Sequence, residues 1–308
     1  MTDLFLVADR ILILTLLIAA GYASLRTGIL THRSLKSLSS LLINVTLPAL
    51  ILVSLQVPVS GALISGAGEI VALSAVYYAL SLAIAAAVLH ALGTRAGERG
   101  VFAFALVFPN VGFMGFPVIE TLYGTGALFY AVICNLIFNV LVFSVGIMMM
   151  TGGGEGRGGF EPRMLLNAGI AASLLGLALF LLSVRIPSPL FEALDLLGGT
   201  TTPLAMVVVG ALLATFPARR MVEDWRIGIA AAARLLVIPV AAWLVLQPFG
   251  TDPLAFAVLI TLAAMPTAAN TVIFAEEYDA DALLASRIVF VTTMSSVVTI
   301  PLLTGLLF

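Results

Sequence analysis

Charge is what this sequence has least of. Lys, Arg, Asp and Glu make up 10% of its 308 residues, against about 25% in soluble domains, which excludes an ordinary water-soluble fold. The net charge of −2 gives no sign of a nucleic-acid partner, and none is expected. Cysteine is limited to Cys134, inside an apolar run, which excludes a disulfide framework or thiolate metal site and leaves a packing role. Histidine is limited to His32 and His90, both at loops or run ends. Carboxylates keep to the margins as well: Asp9, Glu69, Glu120, Asp195 and Asp252 all map to the ends of apolar runs. An intramembrane enzyme needs His, Asp or Glu facing a cavity, and a proton pump usually holds a carboxylate at bilayer depth. Neither pattern is present, so no enzyme, catalytic residue, metal site or cofactor is expected. A channel is disfavoured too, because no ring of like charges or repeated filter motif occurs.

Apolar residues are what the sequence has in excess, at 61% with a mean hydropathy of +1.18. The runs are long enough for bilayer-crossing helices, whereas barrel strands alternate over about ten residues. The fold class is therefore an all-α integral membrane protein. Ten spans are expected, at 4–25, 36–56, 69–92, 101–121, 127–150, 163–184, 190–215, 226–247, 254–275 and 284–307. Asp3 and Asp9 take the place of a basic leader, so the first run reads as a retained span rather than a cleaved signal peptide.

With the N-terminus outside, eleven of the fourteen basic residues fall on cytoplasmic loops, namely Arg26, Arg33, Lys36, Arg95, Arg99, Arg157, Arg163, Arg219, Arg220, Arg226 and Arg287. The positive-inside rule then predicts a cell-membrane protein with both termini outside. A Gly-rich stretch at 151–162 reads as a flexible cytoplasmic linker between two halves, 1–150 and 163–308. Five spans per half makes the second half inverted. Two short matches support a repeat: Tyr123-Gly124-Thr125-Gly126-Ala127-Leu128 against Tyr278-Asp279-Ala280-Asp281-Ala282-Leu283, and Thr46-Leu47-Pro48 against Thr201-Thr202-Pro203.

Two spans are interrupted at matching places. The fourth contains Phe108-Pro109-Asn110-Val111-Gly112-Phe113-Met114-Gly115-Phe116-Pro117, and the ninth contains Met265-Pro266-Thr267-Ala268-Ala269-Asn270. Proline removes a backbone donor and clashes with the preceding turn, and lipid cannot satisfy the carbonyl this frees. Such breaks survive where protein or a polar cavity covers them, and a pair in corresponding halves points to a carrier's binding site. Asn110 and Thr267 stand at expected N-cap positions. Together with Pro109, Val111, Gly112, Pro266 and Asn270 they form the expected substrate cradle, where helix N-termini favour an anion. Gly112 and Gly115 permit close approach of a ligand or backbone.

Other polar residues have two readings each. Asn135 and Asn139, four apart on one helical face, either line that cavity or bond neighbouring helices. Asn44 and Pro48, with Pro203 in the second half, resemble gate or kink positions. Thr292, Thr293, Ser295 and Ser296 read as close-packing residues. Arg234, nine residues into its span from Trp225, is expected to snorkel to the cytoplasm rather than face an anion.

These motifs resemble the auxin efflux carrier family, which includes the plant PIN proteins and many prokaryotic permeases. The likeness is carried by Phe108-Pro109-Asn110 through Tyr123-Gly124, by Met265-Pro266 through Tyr278, by Asn44 to Leu50, and by Pro203-Leu204-Ala205 with Gly210-Ala211-Leu212-Leu213. The resemblance implies a fold like that of bile acid/sodium symporters, with crossed broken helices 4 and 9. It implies scaffold helices 1, 2, 6 and 7, transport helices 3–5 and 8–10, and a homodimer formed through the scaffold. Pro109 and Pro266 would be the crossover prolines and Asn110 a substrate-contacting amide. The expected activity is secondary active or facilitative transport of small organic anions by an elevator motion, with sodium or proton coupling open. A sodium-coupled symporter of a bulkier amphipathic anion is the alternative.

Overall fold

The computed structural model describes residues 4–152, 167–215 and 224–307. Most of the Gly-rich linker, together with Arg157, Arg163, Arg219 and Arg220, lies outside the described residues. Those described form helices and no strands. In chain order they are α1 (Leu4–Arg26), α2 (His32–Ser54), α3 (Gly61–Leu92), α4 (Ala96–Val107), α5 (Val111–Tyr123) and α6 (Thr125–Met150). Then come α7 (Ala168–Leu181), α8 (Leu190–Thr215), α9 (Trp225–Phe249), α10 (Pro253–Ala263), α11 (Thr271–Glu277) and α12 (Ala282–Leu307). Six of these, α2, α3, α6, α8, α9 and α12, are long and apolar enough to cross a bilayer. Helix α3 starts eight residues ahead of the expected span because Ser60 caps it, accepting from Leu63 N–H at 3.2 Å.

Proline shapes three of the helices in the same way. Pro48, Pro117 and Pro239 each follow a five-residue π turn, at Leu42–Thr46, Val111–Gly115 and Ala233–Val237. A proline ring collides with the carbonyl four residues back, and widening that turn moves the carbonyl aside without ending the helix.

Helix α1 packs along α8, and α2 lies against α7 and α8, while α3 packs on α4, α6, α9 and α10. The α1–α8 contact is backbone to backbone. A Cβ on Gly21 would lie 2.0 Å from the Val207 carbonyl oxygen, and one on Gly210 would lie 1.8 Å from that of Ile18. Small residues of this kind let helices associate where no hydrophobic force between them operates. At the start of α9, Arg226 ion-pairs with both Glu98 and Asp224 at 2.7 Å. Its hydrogen bonds hold both carboxyls below the usual carboxylate range. At another margin, Glu69 accepts from the backbone of Thr251 and Asp252 at 2.6 and 3.0 Å, and Tyr130 donates to Asp252.

Candidate functional site

The two breaks lie against each other. Helix α4 ends at Val107 and α10 at Ala263, and the extended residues that follow them pair through an antiparallel bridge between Pro109 and Thr267. Asn110 N–H donates to the Pro266 carbonyl at 2.8 Å, and Ala268 N–H donates to the Phe108 carbonyl at 3.0 Å. Backbone groups released by one proline are thus satisfied by the other break, as a water-free interior requires. Beneath the crossing, the Phe108 ring sits 4.7 Å from Phe104 and 5.9 Å from Phe138, centroid to centroid.

Asn110 caps α5, its side-chain oxygen accepting from Phe113 N–H at 3.1 Å. Thr267 does not cap a helix, contrary to expectation. Its hydroxyl donates to the Ala105 carbonyl at 2.9 Å, and its N–H donates to the Thr292 hydroxyl at 3.3 Å. Helix α11 begins only at Thr271, with Asn270 at the cap position making no side-chain cap bond. The second break is therefore longer than the first, and Thr267 serves as a strut within it.

A cavity of about 430 Å³ opens beside the crossing. Pro109, Asn110, Val111 and Gly112 line it from the first break, and Ala268, Ala269 and Asn270 from the second. Asn135 and Asn139 line it from α6, and Leu42 and Leu47 of α2, Gly169 of α7 and Thr201 of α8 face them. Asn139 also donates to the Asn135 carbonyl at 2.7 Å. A Cβ on Gly112 would enter open space, whereas one on Gly115 would meet Leu262 at 2.7 Å. An apolar wall with a few convergent amides is the usual make-up of a small-molecule site.

Several expected residues are placed elsewhere. Pro266 and Thr267 lie in the crossing but do not line the cavity. Asn44 is exposed and turned back on its own helix, donating to the Ser40 carbonyl at 2.9 Å. Pro48 and Pro203 do not line the cavity either; Pro203 is exposed, in the stretch Thr201–Thr215 of α8. Thr292, read as packing, also props the crossing through its bond with Thr267.

Arg234 departs furthest from expectation. It does not snorkel, because its side chain is fully buried. Nε donates to the Met265 carbonyl at 3.2 Å and Nη2 to the Ala263 carbonyl at 2.8 Å, while Nη1 donates to the Leu106 carbonyl and the Tyr77 hydroxyl, both at 3.2 Å. One guanidinium therefore ties together the C-terminal ends of α4 and α10. The proline at 239 was the available signal, since the π turn it forces contains Arg234.

Broken helices crossing beside a cavity lined by a few amides, within a body of long apolar helices, define a multi-pass membrane transporter. Residues 6–161 and 160–304 match the model of the membrane transport protein family. The chain belongs to that family, the family of the auxin efflux carriers. It is similar to an uncharacterized transporter of Methanocaldococcus jannaschii, 28% identical over 306 residues and 96% of each chain. An uncharacterized transporter of Methanothermobacter thermautotrophicus is 28% identical over 299 residues, again 96% of each chain. A Rhizobium meliloti protein that carries the name of a candidate malonate transporter is 31% identical over 222 residues, 68% of this chain and 67% of that one.

Proposed function

We propose that this chain carries small organic anions, carboxylates above all, across the cell membrane, with the substrate held in the cavity beside the crossing. The observation that carries the reading is the convergence of Asn110, Asn135, Asn139 and Asn270 on one cavity at the N-terminal end of α5. Four neutral amides supply hydrogen-bond donors without a competing carboxylate, and the helix terminus adds a positive potential. The name of the Rhizobium meliloti relative supports a dicarboxylate.

The helices fall into two bodies in this reading. A scaffold comprises α1, α2, α7 and α8, and the remaining helices form a transport body built around the crossing. The contacts of α1 with α8 and of α2 with α7 and α8 support the division, and the cavity is lined from both sides. The ten-span arrangement of two inverted five-helix halves, N- and C-termini outside, is supported by the paired breaks. Positive φ at Gly124 and Asp279, at corresponding turns, supports it too. Transport proceeds by movement of the crossing as a rigid unit past the scaffold, and scaffold helices form the homodimer contact.

The test is uptake of labelled malonate, malate and acetate by purified protein in liposomes, with cysteines near Asn110 and in α2 probed from both sides. Saturable carboxylate uptake, with the cysteine near Asn110 changing sides while that in α2 does not, is the expected result. Absence of uptake for every carboxylate overturns the substrate class, and fixed accessibility of both cysteines overturns the elevator motion.

A further inference from the structure

Half-helices that end inside an apolar body leave carbonyls that nothing in their own helix can satisfy. At this crossing six of these carbonyls are held by donors from outside their own helix. Ala105 receives the Thr267 hydroxyl, Phe108 the Ala268 N–H and Pro266 the Asn110 N–H. The three that remain, on Leu106, Ala263 and Met265, all point at one group, the Arg234 guanidinium. Convergent carbonyls at a helix break are also what a sodium ion selects in carriers of this construction. Here those oxygens are already committed to a cation that belongs to the chain.

The charges balance. Each helix C-terminus carries roughly half a negative charge, so the ends of α4 and α10 together offer about one unit, which a single guanidinium neutralises. The hydrogen-bond partners of Arg234 are three carbonyls and the Tyr77 hydroxyl, with no carboxylate among them. The usual partner of a buried arginine is thus replaced by two helix dipoles. A bare buried cation would cost several kcal/mol, and this seat offsets that cost only while both half-helices end where they do. Arg234 lies within the π turn before Pro239, and the Tyr77–Tyr78 pair, 4.8 Å between centroids, packs on the Tyr77 side.

We propose that Arg234 is the built-in counter-cation of the crossing. It occupies the place of a coupling sodium ion, so the carrier binds and moves its anion without sodium. The inference rests on the anion-carrier reading for its transport arm only. Arg234 is a positioning residue: it holds the crossing together, and with the negative helix ends neutralised the positive end of α5 is left to act on the substrate.

Two readouts test this. Carboxylate uptake by the wild-type protein should run at the same rate in sodium, potassium or N-methylglucamine salts of equal ionic strength, and the unfolding temperature should be unchanged by the same exchanges. Arg234→Ala should lose at least ~100-fold in uptake, the scale of breaking a buried charge network. Added guanidinium should restore part of the rate and raise the unfolding temperature of the variant, while leaving both unaltered in the wild type. Arg234→Lys should keep part of the activity. Sodium-dependent uptake or sodium-specific stabilisation of the wild type overturns the proposal, as does full activity of Arg234→Ala without any added cation. Should Arg234→Ala not fold, the wild-type cation exchange and Arg234→Lys still decide. Failure of all carboxylates in every salt strikes the anion-carrier reading instead, and the unfolding measurements then judge Arg234 independently.

Discussion

Asn110→Asp separates the structural from the functional duty of the residue at the first break. The side-chain oxygen of Asn110 caps α5 at 3.1 Å from Phe113 N–H, and aspartate caps a helix as well as asparagine does. Its charge also complements the positive N-terminus, which offsets part of the cost of burying a carboxylate at this position, so the variant should still fold. The ligand meets the opposite situation. A carboxylate about 4 Å from a bound carboxylate costs about 4 kcal/mol at an effective dielectric near 20, which amounts to a loss of roughly 10³-fold in affinity. Asn110→Ala should behave differently: it loses the cap, at about 1 kcal/mol of stability. It also loses one hydrogen bond to an anion, at about 1.5–3 kcal/mol, or roughly 10- to 150-fold. The assay pairs malonate uptake in liposomes at mildly alkaline pH with thermal unfolding followed by tryptophan fluorescence. Wild-type uptake by Asn110→Asp would refute the reasoning, because that result makes the residue a cap and nothing more.

Gly112→Val should leave the unfolding temperature unchanged, since its Cβ enters open space, while narrowing the cavity and slowing uptake of larger carboxylates more than acetate; an equal effect on all sizes would argue against that lining. Gly210→Ala should destabilise by about 1–3 kcal/mol, because its Cβ would fall 1.8 Å from the Ile18 oxygen, and an unaltered unfolding temperature would contradict the close α1–α8 approach. Arg226 lowers the folded-state pKa of Glu98 and Asp224, so the stability they add is fully present above the ordinary carboxylate pKa of about 4 and is lost as pH falls through the lowered folded values. Glu98→Gln should therefore flatten the acid limb of the stability curve, and an unchanged limb would remove that pair from the account.

What could be read from the chain alone was whatever one segment settles by itself. Apolar length makes α2, α3, α6, α8, α9 and α12 long enough to span a bilayer whatever they pack against. Proline at 109 and 266 removes a donor and crowds the turn before it in any surroundings, because both effects are local. Asn110 as a cap is local as well, with donor and acceptor three residues apart. Tertiary structure decided everything that depends on a distant partner. Thr267 bonds to Ala105 rather than capping, and Asn44 turns outward while Asn135 and Asn139 face the cavity. Arg234 lies inside because carbonyls from residues 106, 263 and 265 meet around it. By composition a lone arginine in an apolar span snorkels; only the meeting of two helix ends supplies enough negative potential to hold it in.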